Sequence, residues 1–338
     1  MSTKIAIVGA GIIGLSTAVC LQDILPEVEV TILADKFHEE TTSAVAAGLF
    51  RPDHISASDP ADVPRWIESS AKRYWSLYRS RDAHLAGIFQ ISGYVFSNDD
   101  PDLPAAKQYR DFVPNYRQLS GRELDDAGGP WRYGCYHSTV LVEPLIHMRY
   151  LRREFEKRGG CIQRLTVEDL SVLHGQFGAV VNCSGLGARR LVGDDSMAPV
   201  RGQLLRVRAP WLKEFYMGEN TTYVYPNSES VVLGGTRESG EWDVTPSKAV
   251  SDSIMARCSK MIPAIQDAEI ISASVGLRPW RPTVRLETEI LQLEGDKTLP
   301  VIHNYGHAGN GISLSWGCGV HAAALTQEVL LSSGSVVH

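Results

Sequence analysis

The stretch Lys4-Ile-Ala-Ile-Val8, followed by Gly9-Ala-Gly-Ile-Ile-Gly14, decides the fold. Its first part is short, apolar and β-branched, which predicts a buried parallel strand. Residues 15–23 then carry apolar side chains on one helical face. A second strand, residues 28–33, leads to Asp35, which lies 21 residues after the last glycine. A strand, a glycine turn, a helix and a strand ending near an acid are typical of a dinucleotide-binding unit.

Each glycine of this turn has a physical task. The first permits the tight turn, the second lets the backbone approach a pyrophosphate, and the third lets helix and strand pack closely. The free N–H groups at the helix start favour phosphate binding. Asp35 favours a free ribose 2′-hydroxyl, so NAD and FAD both remain open at this point. The candidate cofactor-binding residues here are Gly9, Gly11, Ile12, Ile13 and Gly14.

Composition limits the function classes. The chain has 338 residues, 43% hydrophobic and 21% charged, with a net charge of −6, as expected for about two globular domains. This net negative charge does not indicate a basic surface for binding nucleic acid or an anionic membrane. Six scattered cysteines without a Cys-x-x-Cys pair argue against a zinc site or disulfide framework, and we expect no metal. The uncharged run 5–21 is short and glycine-interrupted, which disfavours a signal peptide or membrane anchor.

Further segments extend the pattern along the chain. Residues 177–183 and 301–305 are predicted buried strands, each followed by a glycine turn, with a helix from about Val320 to Leu331. Three short segments between Pro and Asn turns instead predict an antiparallel sheet: residues 203–207, 222–225 and 230–233.

Several segments, in order and across nearly the whole chain, resemble the D-amino-acid oxidase family of FAD enzymes, most closely its D-aspartate oxidases. They are residues 5–16, Asp35-Lys-Phe37, Thr41-Thr-Ser-Ala-Val-Ala-Ala-Gly48, Val181-Asn-Cys-Ser-Gly-Leu-Gly187, Arg201-Gly-Gln203, Leu233-Gly-Gly-Thr-Arg237, Gly276-Leu-Arg-Pro279 and His303-Asn-Tyr-Gly-His307. We therefore expect an α/β fold, with a discontinuous Rossmann-like FAD-binding domain and an antiparallel β-rich substrate domain. The expected FAD-binding domain comprises residues 1–50, 145–200 and 286–338, and the substrate domain 51–144 and 201–285.

The resemblance also implies where FAD would bind. It places the adenosine end at Asp35 and Lys36, and the helix beginning near Gly311 at the pyrimidine side of the flavin. A helix amino terminus there would stabilise negative charge on reduced flavin. The remaining implied cofactor residues are Thr41, Thr42 and Ser43 along the pyrophosphate, Ala47, Gly48 and Leu49 near the flavin edge, and Ser184, Gly185, Gly309, Ile312 and Ser313.

For the substrate, the resemblance implies that Arg278 clamps the α-carboxylate, for which a guanidinium suits because it donates two parallel hydrogen bonds. Tyr223 would add its hydroxyl, and the carbonyl of Gly309 would accept from the amine. Tyr225, on the same strand face, is predicted to pack. The alternative for Arg278 is a buried ion pair with an acid.

Arg237 stands where oxidases of neutral D-amino acids have an apolar residue and D-aspartate oxidases have arginine. A second cation beside Arg278 is costly unless a second carboxylate neutralises it, so we expect a dicarboxylic substrate. The alternative is a surface pair with Glu238 or Asp243. The loop arginine of vertebrate-type D-aspartate oxidases is missing, with Tyr216 and Met217 in that region, and we expect Arg51 to replace it.

The implied reaction is oxidative deamination of D-aspartate, D-glutamate or N-methyl-D-aspartate. Hydride passes to flavin N5, and O2 reoxidises the flavin, giving a 2-oxo acid, ammonia and hydrogen peroxide. No acid–base residue is expected, and His307 is predicted to pack in its turn. The alternatives are a neutral D-amino-acid oxidase, an NAD-dependent dehydrogenase and an inactive flavin-binding scaffold.

The resemblance favours the peroxisome. The ending Ser335-Val-Val-His338 does not match the Ser-Lys-Leu signal, however, so the cytoplasm is the alternative. No nucleic-acid or membrane partner is expected. The oligomeric state stays open.

Overall fold

The computed structural model describes residues 3–127, 129–219 and 221–332. Its strands are β1 (Lys4–Ala10), β2 (Glu29–Phe37), β3 (Ile88–Ser97), β4 (Arg117–Gln118), β5 (Tyr133–Val142), β6 (Cys161–Arg164), β7 (Ala179–Asn182), β8 (Ala198–Arg208), β9 (Phe215–Gly218), β10 (Thr222–Pro226), β11 (Val231–Gly234), β12 (Glu238–Ser239), β13 (Glu269–Leu293) and β14 (Lys297–His307). Its helices are α1 (Ile12–Ile24), α2 (Thr42–Val45), α3 (Asp62–Tyr78), α4 (Asp102–Ala105), α5 (Gly121–Asp126), α6 (Pro144–Lys157), α7 (Ala188–Leu191), α8 (Lys248–Met261) and α9 (Gly311–Ser332).

Thirteen of the described strands join in one continuous hydrogen-bonded path, in the order β4-β5-β3-β9-β10-β11-β8-β13-β14-β7-β1-β2-β6, and β12 pairs with β8 beside it. At one end, β14, β7, β1, β2 and β6 run parallel. At the other end, pairing is mostly antiparallel, including the three segments predicted as an antiparallel sheet. The expected α/β class is confirmed.

One long strand, β13, connects the two types of sheet. Residues 269–280 pair with β8, and residues 285–293 pair with β14. The register shifts between Trp280 and Arg285, where Pro282 has no N–H to donate. The predicted domain boundary between residues 285 and 286 falls inside this strand, and the division into two domains stays a prediction.

The helix after β14, α9, begins at Gly311, as the family resemblance implied, and not at about Val320, as the residue pattern alone suggested. Packing overrides the low helix propensity of its Gly- and Ser-rich first half. The small side chains let α9 lie close to α3, where the N–H of Gly317 donates to Ser70 Oγ at 2.9 Å and Tyr74 donates to the carbonyl of Ile312 at 2.6 Å. This contact fixes the amino terminus of α9.

Tyr216 and Met217, which were expected on a loop, lie on a strand instead. β9 carries Tyr216 and Met217 and is paired on both sides, with β3 and β10. The carboxyl-terminal tripeptide on which the localisation prediction depends lies outside the described residues. Within the described ranges, no helix combines the length and the apolar character needed to cross a bilayer.

A buried ion pair supports the turn of β13. Arg281 Nε donates to Asp194 Oδ2 at 2.9 Å, and the Tyr305 hydroxyl donates to the same oxygen at 2.8 Å. Burial alone would raise the pKa of Asp194, but hydrogen bonds from Ser196, Tyr305 and Arg281 outweigh it and lower the pKa to about 2. The carboxylate form therefore stabilises the fold.

We expect Asp194→Asn to lower the free energy of unfolding by about 2 kcal/mol at pH 7. Because the folded pKa lies below the unfolded one, the wild-type advantage is complete above about pH 4 and declines as the pH falls towards 2. Chemical denaturation of both proteins at pH 7 and pH 3 measures this. A difference in unfolding free energy that does not change with pH would contradict it.

Candidate active site

One cavity of about 970 Å³ opens at the carboxyl ends of β1, β2, β7 and β14, and it extends to the antiparallel sheet. Ligands of parallel α/β sheets bind at this edge. The volume lies in the upper part of the range of about 300–1,000 Å³ for small-molecule sites. Cofactor and substrate candidates from distant parts of the sequence therefore share one space.

The glycine turn is shaped as the sequence predicts. Gly9 has φ +113°, which other residues rarely adopt. A Cβ on Gly14 would lie 1.9 Å from the carbonyl oxygen of Gly9, so only glycine allows this close packing of helix and strand. At the start of α1, the N–H of Ile12 donates to Ser43 Oγ at 3.1 Å, which brings the 41–43 segment to the turn.

All but one of the predicted cofactor residues line the cavity; Gly14 is buried behind the turn. Asp35 and Lys36 are exposed near the end of β2, and Ser184 and Gly185 follow β7. The lining residues among the candidates are Gly9, Gly11, Ile12, Ile13, Asp35, Lys36, Thr41, Thr42, Ser43, Ala47, Gly48, Leu49, Ser184, Gly185, Gly309, Gly311, Ile312 and Ser313.

Arg278 enters the cavity from the first half of β13. A Cβ on Gly202 would lie 2.2 Å from Arg278 Nη1, so the absence of a side chain on β8 makes room for the guanidinium. Arg278 Nη1 donates to the carbonyl of Thr236 at 3.1 Å. Over the described ranges no acid pairs with Arg278, so the buried ion pair considered as an alternative is not found. Its remaining donors are available to a ligand.

Tyr223 lies beside Arg278. Burial raises the pKa of Tyr223, while the nearby charge of Arg278 acts in the opposite direction. The Tyr223 ring stacks on Tyr225 with centroids 4.6 Å apart, and both rings line the cavity. The Tyr225 hydroxyl contacts Met217 Sδ at 3.4 Å. At pH 7 Tyr223 keeps its proton and can donate a hydrogen bond.

Arg237 does not form the surface pair considered as an alternative. Glu238 instead forms an ion pair with Arg201, whose Nη1 lies 2.8 Å from Glu238 Oε2. Arg201 Nε also donates to the carbonyl of Asp243 at 2.6 Å. In the part of the chain that the structure describes, Arg237 has no ion pair of its own. Burial and the charges of Arg278 and Arg51 lower the pKa of Arg237, with Asp53 opposing them. Arg237 is thus a cation near other cations.

Arg51 reaches the same cavity from the segment after α2. Its Nη2 donates to Asp53 Oδ2 at 2.9 Å, while its Nε is buried without a hydrogen-bond partner. Burial would lower the pKa of Arg51, but Tyr109, Tyr225 and Asp53 outweigh it and raise the pKa. Arg237, Arg278 and Arg281 line the same cavity, together with the carboxylate of Asp53. Arg281 is neutralised by its ion pair with Asp194.

His307 is buried at the end of β14, as predicted, but it also lines the cavity and its Nε2 has no partner. Burial lowers the pKa of His307 to about 3, so the ring is neutral at pH 7. The sequence did not single out Asp53 and Asn310, which also line the cavity. Their backbone–side-chain contact spans 257 positions, and only adjacency to Arg51 and Gly309 marks them in the sequence.

Comparison with known proteins matches residues 4–325 to the family described as "FAD dependent oxidoreductase". The chain belongs to this family. It is 39% identical over 331 residues to a D-aspartate oxidase of Homo sapiens, covering 97% of this chain and 95% of that protein. It is 34% identical to a D-amino acid oxidase of Dugesia ryukyuensis, covering 97% and 99% of the two chains.

Among solved structures, glycine oxidase from Geobacillus kaustophilus superposes with a TM-score of 0.78 at 22% identity, covering 97% of this chain and 95% of that chain. That likeness shows the fold. The predicted family, the class of flavin-dependent oxidoreductase and the cofactor FAD are thereby confirmed.

The residues of this flavoprotein fit the cofactor. The glycine cradle and the first turn of α1 offer backbone N–H groups to a pyrophosphate. Asp35 lines the same cavity, and so do Gly311 and Ser313 in the first turn of α9. The unpartnered Nε2 of His307 and Nε of Arg51 are buried polar atoms for which a ligand or water can supply a partner.

Proposed function

We propose that this flavoprotein catalyses the FAD-dependent oxidative deamination of acidic D-amino acids, with O2 as the electron acceptor. D-Aspartate is the first substrate, followed by D-glutamate and N-methyl-D-aspartate. The products are a 2-oxo acid, ammonia and hydrogen peroxide. The observation that carries the proposal is that Arg278 and Arg237 face one cavity while neither is paired with an acid among the described residues.

Charge matching supports a diacid. With Arg281 neutralised by Asp194, the charges of Arg51, Arg237, Arg278 and Asp53 sum to +2. A substrate with two carboxylates neutralises that charge, whereas a neutral D-amino acid leaves the repulsion between these cations in place. Partial burial and the charges of Arg278 and Arg51 lower the pKa of Arg237. Because the side chain is exposed, repulsion between the cations is the larger cost. Binding of the second carboxylate therefore relieves an electrostatic penalty built into the protein.

Each substrate group has a proposed partner. Arg278 and Tyr223 hold the α-carboxylate, and Arg237 and Arg51 hold the distal carboxylate. The carbonyl of Gly309, next to Arg278, accepts a hydrogen bond from the amine. Three fixed points define the handedness of the substrate, so only the D-enantiomer directs its α-hydrogen to the oxidising face.

The cofactor residues have proposed roles as well. Asp35 and Lys36 bind the adenosine ribose end, and residues 41–43 with the glycine turn bind the pyrophosphate. Ala47, Gly48 and Leu49 lie along the flavin edge, with Ser184 and Gly185 on the cofactor side of the cavity. The amino terminus of α9, from Gly311 to Ser313, stabilises negative charge on the pyrimidine side.

When bound, FAD supplies the acceptor for the α-hydrogen and its electron pair. The protein orients the substrate and keeps its carboxylates ionised through the guanidinium groups. His307 is neutral at pH 7 and, with its pKa near 3, is a weak base. No side chain is assigned a proton-transfer role, and catalysis by the protein consists of positioning and electrostatics.

Anaerobic mixing of the purified FAD-loaded protein with single amino acids tests the proposal. D-Aspartate should bleach the flavin absorbance faster than D-alanine, and L-aspartate should leave it oxidised. Faster bleaching by D-alanine would favour an oxidase of neutral D-amino acids. A flavin that stays oxidised with every D-amino acid would favour a scaffold without activity.

Arg51 provides a separate prediction. We expect Arg51→Met to raise KM for D-aspartate about tenfold and to change KM for D-alanine little, because one charged hydrogen bond to the distal carboxylate is lost. Steady-state kinetics with both substrates measures this. Arg65→Met, an exposed arginine on α3, is the control. If Arg51→Met has the same KM for D-aspartate as the control, Arg51 does not hold the distal carboxylate.

A further inference from the structure

The loop that carries Arg51, residues 51–56, is held by two side-chain amides. Asn310 Oδ1 accepts the N–H of Asp53 at 3.1 Å, and Asn310 Nδ2 donates to the carbonyl of Asp53 at 2.9 Å. Gln108 Oε1 likewise accepts the N–H of Ile55, and Gln108 Nε2 donates to the carbonyl of Ile55, both at 3.1 Å. Each amide therefore closes a pair of hydrogen bonds on one backbone position of the loop.

The Asn310 pair ties this loop to the cofactor side of the cavity. Asn310 immediately precedes Gly311, where α9 begins. One turn further along, Ser313 Oγ accepts the N–H of Arg51 at 3.3 Å. The Arg51 loop is thus fixed directly to the amino terminus of the helix proposed to face the flavin.

The contacts continue from the backbone to the guanidinium. Asp53, whose backbone Asn310 holds, accepts from Arg51 Nη2 through its own carboxylate at 2.9 Å. Both side chains are largely buried, with exposed fractions of 12% for Arg51 and 17% for Asp53. The chain of contacts runs from Asn310 to Asp53 to Arg51, and displacement of Asp53 would release the guanidinium.

We propose that Asn310 is a positioning residue for the distal carboxylate: it fixes Asp53, and through it Arg51, relative to the flavin side of the cavity. This inference rests on the proposed function. A long arginine side chain held in place before the ligand arrives loses less conformational freedom on binding, so the selectivity for a diacid depends on the clamp. Loss of Asn310 lowers affinity for a second carboxylate and leaves the first carboxylate site intact.

Succinate and butyrate separate the two carboxylate sites without turnover, since neither has an amine to oxidise. Their dissociation constants are measured by titrating the FAD-loaded protein and following the flavin absorbance. We expect Asn310→Ala to weaken succinate binding about tenfold, from the loss of an ordered pair of hydrogen bonds. Butyrate binding should change less than twofold. Unchanged succinate binding would overturn the inference.

Gln108→Ala is the matched control, because it removes the same kind of amide pair from the same loop at Ile55. We expect it to keep the wild-type ratio of succinate to butyrate affinity. An equal loss of that ratio in Gln108→Ala would show that general loop stiffness acts, and would overturn the role of Asn310. If Asn310→Ala does not retain FAD, Asn310→Ser, too short to hold both groups of Asp53, takes its place.

A double substitution tests the route through Arg51. In Arg51→Met, the further change Asn310→Ala should alter succinate binding less than twofold, because the guanidinium that it positions is gone. Full additivity of the two losses would contradict the inference. If the unsubstituted protein binds butyrate as tightly as succinate, the proposed function itself fails; a wild-type preference for succinate that survives in Asn310→Ala defeats only the inference.

Discussion

Arg278→Met is expected to lower kcat/KM for D-aspartate by about 10³-fold. Arg278 is the cation that enters beside Tyr223 through the space left by Gly202, and it donates a hydrogen bond to the carbonyl of Thr236. Removing one partner of a desolvated, hydrogen-bonded charge pair costs about 3–5 kcal/mol. Every substrate of this reaction has an α-carboxylate, so kcat/KM for D-alanine should fall by a similar factor.

Arg278→Lys is the matched variant, because it keeps the charge and loses the two-pronged donor geometry. Its activity should lie between those of the wild type and Arg278→Met. All three proteins should be compared at equal FAD content, measured from the flavin absorbance. A loss in Arg278→Met confined to D-aspartate, with D-alanine unaffected, would contradict the assignment of Arg278 to the α-carboxylate.

Arg237→Leu is expected to change the substrate preference rather than abolish activity. The distal carboxylate loses its charged donor, which costs about 1.5–3 kcal/mol, so kcat/KM for D-aspartate should fall by about 10- to 100-fold. D-Alanine has no distal carboxylate, and removal of the cation relieves repulsion with Arg278 and Arg51. Its kcat/KM should therefore stay the same or rise.

Steady-state kinetics with D-aspartate and D-alanine measures this change of preference. Arg208→Leu is a suitable control, since Arg208 is an exposed arginine that pairs with Glu269 outside the cavity. Equal losses for both substrates in Arg237→Leu would indicate a structural role for Arg237 and would remove the main argument for a diacid.

The local unit around Gly9 and Gly14 could be predicted from sequence, because its physics is local. A tight turn, a close backbone approach and a buried helix start each require glycine at a fixed spacing, and this spacing is visible in the sequence. The same holds for the face shared by Tyr223 and Tyr225, which follows from the alternation of a strand. These predictions needed no knowledge of distant contacts.

Other features depend on partners far away in the chain. The early start of α9 is stabilised by its contact with α3, and β13 continues through a position where the sequence suggested a boundary. The segment with Tyr216 and Met217 forms a strand because β3 and β10 flank it. A single sequence shows propensity and period but not these neighbours.

The substrate site divides in the same way. Arg278, Arg237 and Arg51 were predicted, but Asp53 and Asn310 were not, since their roles arise only from a contact between two loops. The lack of an ion pair for Arg237 among the described residues likewise could not be read from the sequence, where Glu238 is its neighbour. Glu238 is paired with Arg201, which lies on the neighbouring strand β8.

The most direct test compares kcat/KM for D-aspartate and D-alanine in the unsubstituted, FAD-loaded protein by the rate of hydrogen peroxide formation. Two guanidinium groups that have no acid partner among the described residues predict a ratio of at least about 10 in favour of D-aspartate, the lower value of one charged hydrogen bond. A ratio near one, or a preference for D-alanine, would contradict the claim that this cavity is built for two carboxylates.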